Sequence, residues 1–238
     1  MSDLQNALTN LVTANRILAH ENVIDAFGHV SIRHPERPDR FFLSRSRSPE
    51  LVTLDDLMEF DLDCNPIDQR GRSMYGERPI HGAIYQARPE VCAVVHHHAH
   101  PIIPFTFTKE KLRPVFHMAG AMGSEVPVWD SQNNFGDTNL RVTTMEQAHD
   151  LARSLGFGNT LLMRGHGCVV VGESIPQAVF VSIFMADNAK LQTLGRQFGE
   201  ITFLTEGEIR MSAELISLPV AMQRSWEYWS RRCVAVKS

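Results

Sequence analysis

Nothing in this chain is present in extreme amount, and each shortfall removes a class of protein. Its four cysteines, Cys64, Cys92, Cys168 and Cys233, are scattered over 238 residues without paired spacing. That pattern argues against a disulfide framework and for reduced thiols in the cytoplasm, with Cys92 and Cys168 in apolar runs as small core residues. Charge of either sign is not in excess: 23 Lys and Arg face 27 Asp and Glu, for a net charge of −4. No electrostatic footprint for nucleic acid or an anionic membrane is therefore expected. No apolar run approaches a membrane span, and the first residues lack a charged segment followed by a hydrophobic one. Repeats and low-complexity segments are missing too. With 43% hydrophobic and 21% charged residues, the composition matches a folded globular chain, and its length suits one domain with a substantial core.

Histidine is what the chain has in one place. Val94-Val95-His96-His97-His98-Ala99-His100 runs two β-branched residues into four histidines within five positions. On a strand, alternation puts His96 and His98 on one face and His97 on the other. Two imidazoles side by side form half of a metal site. A tag or a solvated polar run is the plainer alternative, but tags sit at termini.

Around this segment the pattern alternates between helix and strand. Leu4, Leu8, Leu11 and Leu18 predict an N-terminal helix, with Ser2 and Gln5 as a capping box. Residues 30–32 and 41–44 read as a strand pair, and His81 to Arg88 as a helix stopped by Pro89. A helix follows from Thr144 to near Gly156, capped by Thr144 and Gln147. Residues 160–164 and 168–171 are strand-like, and Ser174 with Gln177 caps a long helix running toward Gly199. The remainder, about 206–238, reads as a helical tail broken at Pro219, and its Trp226, Tyr228 and Trp229 either close over a pocket or dock the tail. A single domain over 1–238 is expected.

An open metal site needs about three protein ligands. His166, between Gly165 and Gly167, sits where the chain can turn and present an imidazole. Such a histidine can equally be a hydrogen-bonded turn residue. Glu77 precedes His81 by four residues, either as a surface carboxylate at a helix N-terminus or as an acid/base group or fourth ligand.

Gly28-His29-Val30-Ser31, Glu77 through His81, Arg88-Pro89, Val94 through His98, and Leu161 through Gly167 occur in an order that resembles the class II aldolase/adducin family. The resemblance extends from the first helix to about Gly199. It implies a three-layer α/β/α sandwich around a mostly antiparallel sheet. It also implies one divalent metal per subunit on His96, His98 and His166, with zinc first and manganese or iron as alternatives. Glu77 matches the catalytic glutamate, and the assembly implied is a homotetramer with sites between subunits.

Departures from the sugar-phosphate aldolases are equally informative. Gly28-His29 stands for Gly-Asn, Ser44-Arg45-Ser46-Arg47-Ser48 for a Ser-Gly phosphate turn, and Tyr75-Gly76 for small hydroxyl residues. Arginine fills the space of a phosphate nest but forks well onto a carboxylate. These segments, with residues 113–118, 135–137 and 225–229, resemble the hydroxyaromatic decarboxylase branch of the family. The resemblance implies a small aromatic acid as substrate in aromatic catabolism, bound by His29, Ser44, Arg45, Arg47 and Tyr228. Glu77 or His117 then moves the proton, His117 falling where aldolases place a tyrosine that reaches a neighbouring subunit. An aldolase acting on a hydroxy-keto or sugar acid is the alternative, and a non-catalytic adducin-like module a remoter one.

Overall fold

Alternation along the central strands sorts apolar side chains into two cores, one on each face of a single sheet. The computed structural model describes residues 2–235. Its strands are β1 (His29–Arg33), β2 (Arg40–Ser44), β3 (Leu57–Asp61), β4 (Ala93–His97), β5 (Val128–Trp129), β6 (Thr160–Met163) and β7 (Gly167–Gly172). Their spatial order is β3-β2-β1-β4-β7-β6-β5. Every neighbouring pair is antiparallel except β5 with β6. The helices are α1 (Asp3–His20), α2 (Pro79–Ala87), α3 (Ile103–Phe107), α4 (Gln132–Phe135), α5 (Met145–Leu155), α6 (Ile175–Arg196), α7 (Glu206–Ile216) and α8 (Pro219–Ala235).

Ala93 and Val95 of β4 and Cys168 and Val170 of β7 join Leu11, Leu18 and Val179 of α1 and α6 in one core. Val94, Val169 and Val171 point the other way, onto Ile80, Ile84 and Leu151 of α2 and α5. The three-layer α/β/α sandwich follows. Strands β3 and β5 were not expected from sequence. β3 carries Glu59 and Asp61 among its apolar residues, yet Met58 and Phe60 alternate into the core, and β5 is two residues long.

The helix starts follow their caps. The hydroxyls of Ser2, Thr144 and Ser174 accept the backbone N–H of Gln5, Gln147 and Gln177. The reciprocal half of the box differs: Gln147 and Gln177 accept from Thr143 and Glu173, one residue ahead of each cap. The long helix ends at Arg196, short of Gly199.

In the tail, Trp229 is buried and packs 6.0 Å from Phe180 and 5.9 Å from Phe184, ring to ring. That contact docks α8 on α6. Residues 236–238 of the expected tail lie outside the described residues. Among the described residues no helix is long and apolar enough to cross a membrane.

Leu161 of β6 is fully buried against α2 and α5. Leu161→Ala should cost about 2–5 kcal/mol in urea unfolding. A loss below ~1 kcal/mol would mean that this core collapses around the gap.

Candidate active site

The site is assembled at one end of the central strands. His29 of β1 is the register partner of His96 on β4. His96 projects with Val94 toward α2, and His98 follows just past the strand end. His97 turns to the opposite face, where its ring lies 3.2 Å from the Cys168 sulfur. The hairpin from β6 to β7 brings in His166. Gly165 there has φ +63°, and a Cβ on Gly167 would sit 2.5 Å from the His97 carbonyl oxygen and 2.7 Å from the His98 ring. Only glycine permits that approach.

The His96, His98 and His166 rings have centroid separations of 4.7, 5.0 and 5.0 Å. One ligand atom from each lies within 4.8 Å of the others, and His29, Glu77 and His96 form a second such group. His96 Nδ1 lies 3.0 Å from the Cys168 carbonyl oxygen, which can only accept. The ring proton is therefore on Nδ1, and Nε2 is bare. That buried Nε2 has no hydrogen-bond partner, nor has His166 Nδ1. Burial, followed by the neighbouring imidazoles, pushes His96 well below its ordinary pKa, and His98 down to about 4. Neutral histidine is the form that ligates.

Glu77 closes the cluster. Its Oε1 accepts the Val142 N–H at 3.0 Å, while Oε2 lies 3.7 Å from His166 Nε2 and 3.8 Å from His96 Nε2. With His96 neutral, its contact is not an ion pair but the spacing of donors around a shared centre. Glu77, His81 and Tyr85 recur every four residues and share one face of the α2 segment. His81 Nε2 meets His29 Nδ1 at 2.6 Å, and its Nδ1 meets the Ser31 hydroxyl at 2.6 Å. The Tyr85 hydroxyl continues the buried chain at 2.7 Å from Ser31. The chain holds the His29 ring in place, a role for His81 that the i, i+4 spacing from Glu77 could have signalled.

In front of the cluster lies a cavity of about 770 Å³ whose wall includes His29, Arg47, Tyr75, Glu77, His98 and Arg141. The other expected substrate residues fall elsewhere. Arg45 does not line the cavity; its Nε bonds Asp56 at 2.6 Å, and Arg47 Nη1 bonds the same carboxylate at 3.0 and 3.1 Å. Burial alone would raise the Asp56 carboxyl, but hydrogen bonds from Thr53, Arg45 and Arg47 outweigh it and hold the group well below the usual range. Ser44 is buried behind the wall, 3.5 Å from the Tyr75 hydroxyl. His117 and Tyr228 line a separate, mostly apolar cavity of about 660 Å³ with Phe180 and Trp229. Within one chain they do not meet Glu77. Arg141 was not expected from sequence, since no local pattern marks it.

The family model described as "Class II Aldolase and Adducin N-terminal domain" matches residues 9–193. The chain belongs to this family. Decarboxylase tropJ of Talaromyces stipitatus is 37% identical over 92% of this chain and 91% of its own length. The 3,4-dihydroxyphthalate decarboxylase of Arthrobacter keyseri is 28% identical, covering 73% of this chain and 72% of its own. An aldolase II superfamily protein from Pseudomonas syringae superposes with a TM-score of 0.83 at 21% identity, over 100% of this chain and 96% of that one. The last likeness bears on fold alone. For a class II aldolase fold, three convergent imidazoles with a bare, buried Nε2 fit a divalent ion.

His96→Ala, His98→Ala and His166→Ala should each lower bound metal below the wild-type stoichiometry while retaining the fold. Full metal content in His166→Ala, read by elemental analysis, would remove it from the site.

His81 and His97 are buried and neutral, held down at about 3. Because the unfolded chain takes up those protons near pH ~6.5, it binds more protons than the folded state between there and about pH 3. Stability is therefore full above that window and falls as pH drops through it, by about 1.4 kcal/mol per pH unit for each histidine. Metal-free protein should show a lower urea midpoint at about pH 5 than at about pH 7.5. Equal midpoints would show that these imidazoles take up protons in the fold.

Proposed function

We propose that the protein is a divalent-metal-dependent lyase that removes carbon dioxide, without oxidation, from a hydroxylated aromatic or heteroaromatic acid. The observation that carries this reading is three imidazoles, His96 and His98 among them kept neutral by burial, grouped beside a carboxylate that has one oxygen pinned and one facing the cavity. Similarity to named decarboxylases supports the choice of reaction.

His96, His98 and His166 are the ligands in this reading, with zinc first and manganese or iron accepted by the same donors. Such an ion, when bound, supplies Lewis acidity for the negative charge that develops on the substrate. His29, held by His81, presents its other nitrogen to the cavity and orients the ring hydroxyl. Glu77 Oε2 accepts the proton of the ring hydroxyl, loss of carbon dioxide leaves an electron pair on the ring carbon, Glu77 delivers that proton to this carbon, and the ring oxygen regains one from water as the product leaves. Val142 keeps that carboxyl from turning away. Arg45 and Ser44 act from behind the wall, through Asp56 and Tyr75.

A homotetramer with sites between subunits belongs to the same reading. His117 and Tyr228 would then serve a neighbouring subunit's site. Light scattering is expected to give a tetramer, and mixing Glu77→Gln with His117→Ala should restore activity; a fully active monomer would contradict shared sites.

Metal-loaded protein is expected to release carbon dioxide from some member of a panel of dihydroxybenzoates, dihydroxyphthalates and hydroxypyridine carboxylates. Glu77→Gln should lower kcat by about a hundredfold or more with metal retained. Turnover confined to aldol substrates such as hydroxy-keto acids would overturn the assignment.

A further inference from the structure

Two arginines reach the cavity wall, and they are not equivalent. Arg47 Nη1 bridges both oxygens of Asp56, which also takes the Arg45 Nε. One carboxylate, its side chain 4% exposed, thus anchors both guanidinium groups while offsetting one of their two charges. Arg141 is placed differently: its Nε lies 3.9 Å from Glu77 Oε2, the outer limit of an ion pair, and its side chain is 53% exposed. A carboxylate ligand entering the cavity therefore meets Arg141 as a cation none of whose guanidinium nitrogens is committed to a hydrogen bond among the described residues, whereas Arg47 is tethered through Nη1.

The surroundings fix the backbone that carries that guanidinium. Leu140 adopts φ +64°, an uncommon conformation for a leucine. Asn139 Oδ1 accepts the Arg141 N–H at 3.0 Å, and Glu77 accepts the next one, from Val142. The segment is tied to the reactive carboxylate by its own backbone. Across from it, a Cβ on Gly76 would lie 2.6 Å from Arg141 Nη2. Glycine at that position clears the seat for the guanidinium.

We infer that Arg141, seated over Gly76, is the specificity-determining cation of this site and holds a substrate carboxylate other than the one that is lost. A cation fixed on the departing group would stabilise the charge that the reaction has to remove from it. The substrate class is thereby narrowed to a hydroxylated aromatic dicarboxylate. This inference rests on the decarboxylase reading, but it can be tested without turnover.

Zinc-loaded protein is titrated calorimetrically with phthalate and with benzoate, neither of which carries the ring hydroxyl. Arg141→Gln should weaken phthalate binding by about ten- to a hundredfold, as for loss of a charge-assisted carboxylate contact. Benzoate binding should change by less than about threefold, because the benzoate carboxylate occupies the position of the departing group. Arg141→Lys should fall between wild type and Arg141→Gln. Gly76→Ala should also weaken phthalate, since it displaces the guanidinium while keeping its charge. Unaltered zinc stoichiometry and melting temperature keep these comparisons valid. Failure of wild type to bind phthalate, unchanged phthalate affinity in Arg141→Gln, or equal losses for both ligands would overturn the inference. Phthalate binding that depends on Arg141, with no carbon dioxide from any hydroxyaromatic acid, would sink the decarboxylase reading and leave the arginine's role standing.

Discussion

The register of β4 between β1 and β7 is the constraint on which the site depends. It sets His96 opposite His29 on one side and opposite Val169 on the other. A slip of one residue would swing His96 into the core beneath α1 and α6 and bring His97 to the cavity. Val94 and Val95 would fit either face, so what opposes such a slip is the loss of contacts specific to each histidine: the Cys168 carbonyl at His96 Nδ1 and the Cys168 sulfur beside His97. Cys168 thus secures the register, although it takes no part in the chemistry proposed.

That arrangement places several imidazoles close together, and burial keeps them neutral. The proton on His96 is fixed by a backbone carbonyl, an acceptor that cannot rotate away or ionise. His29 is fixed by side chains, through His81, Ser31 and Tyr85. The support on His96 leaves its buried Nε2 without a partner, a cost to stability that a ligated ion would offset. Glu77 stands between them with one oxygen committed and one free, which is the asymmetry that a proton carrier needs.

How much of this could be read from the chain depended on distance along it. Period-two alternation was enough to pair His96 with His98, and flanking glycines marked His166, because both signals are local. Sandwich architecture was legible only as what the family resemblance carried by the ordered motifs implies. Arg45 and Arg47 stood out in a serine-arginine run, yet both are anchored on Asp56, whose approach depends on how the intervening loop folds. Arg141 carried no local mark because its significance comes from Glu77 and Gly76, more than sixty positions away. His117 and Tyr228 line a cavity separate from the one that Glu77 lines, and no local signal in the sequence separates the two. Short or charged strands such as β5 and β3 escaped because edge strands need little apolar content.

The central claim is that three imidazole nitrogens converge on one divalent ion. X-ray absorption at the zinc edge of the zinc-loaded full chain addresses it without reference to any substrate. The expected spectrum has about three imidazole ligands at ~2.0–2.1 Å, completed by oxygen and without sulfur. A spectrum with one imidazole or none, or with a sulfur shell at about 2.3 Å, would contradict the account.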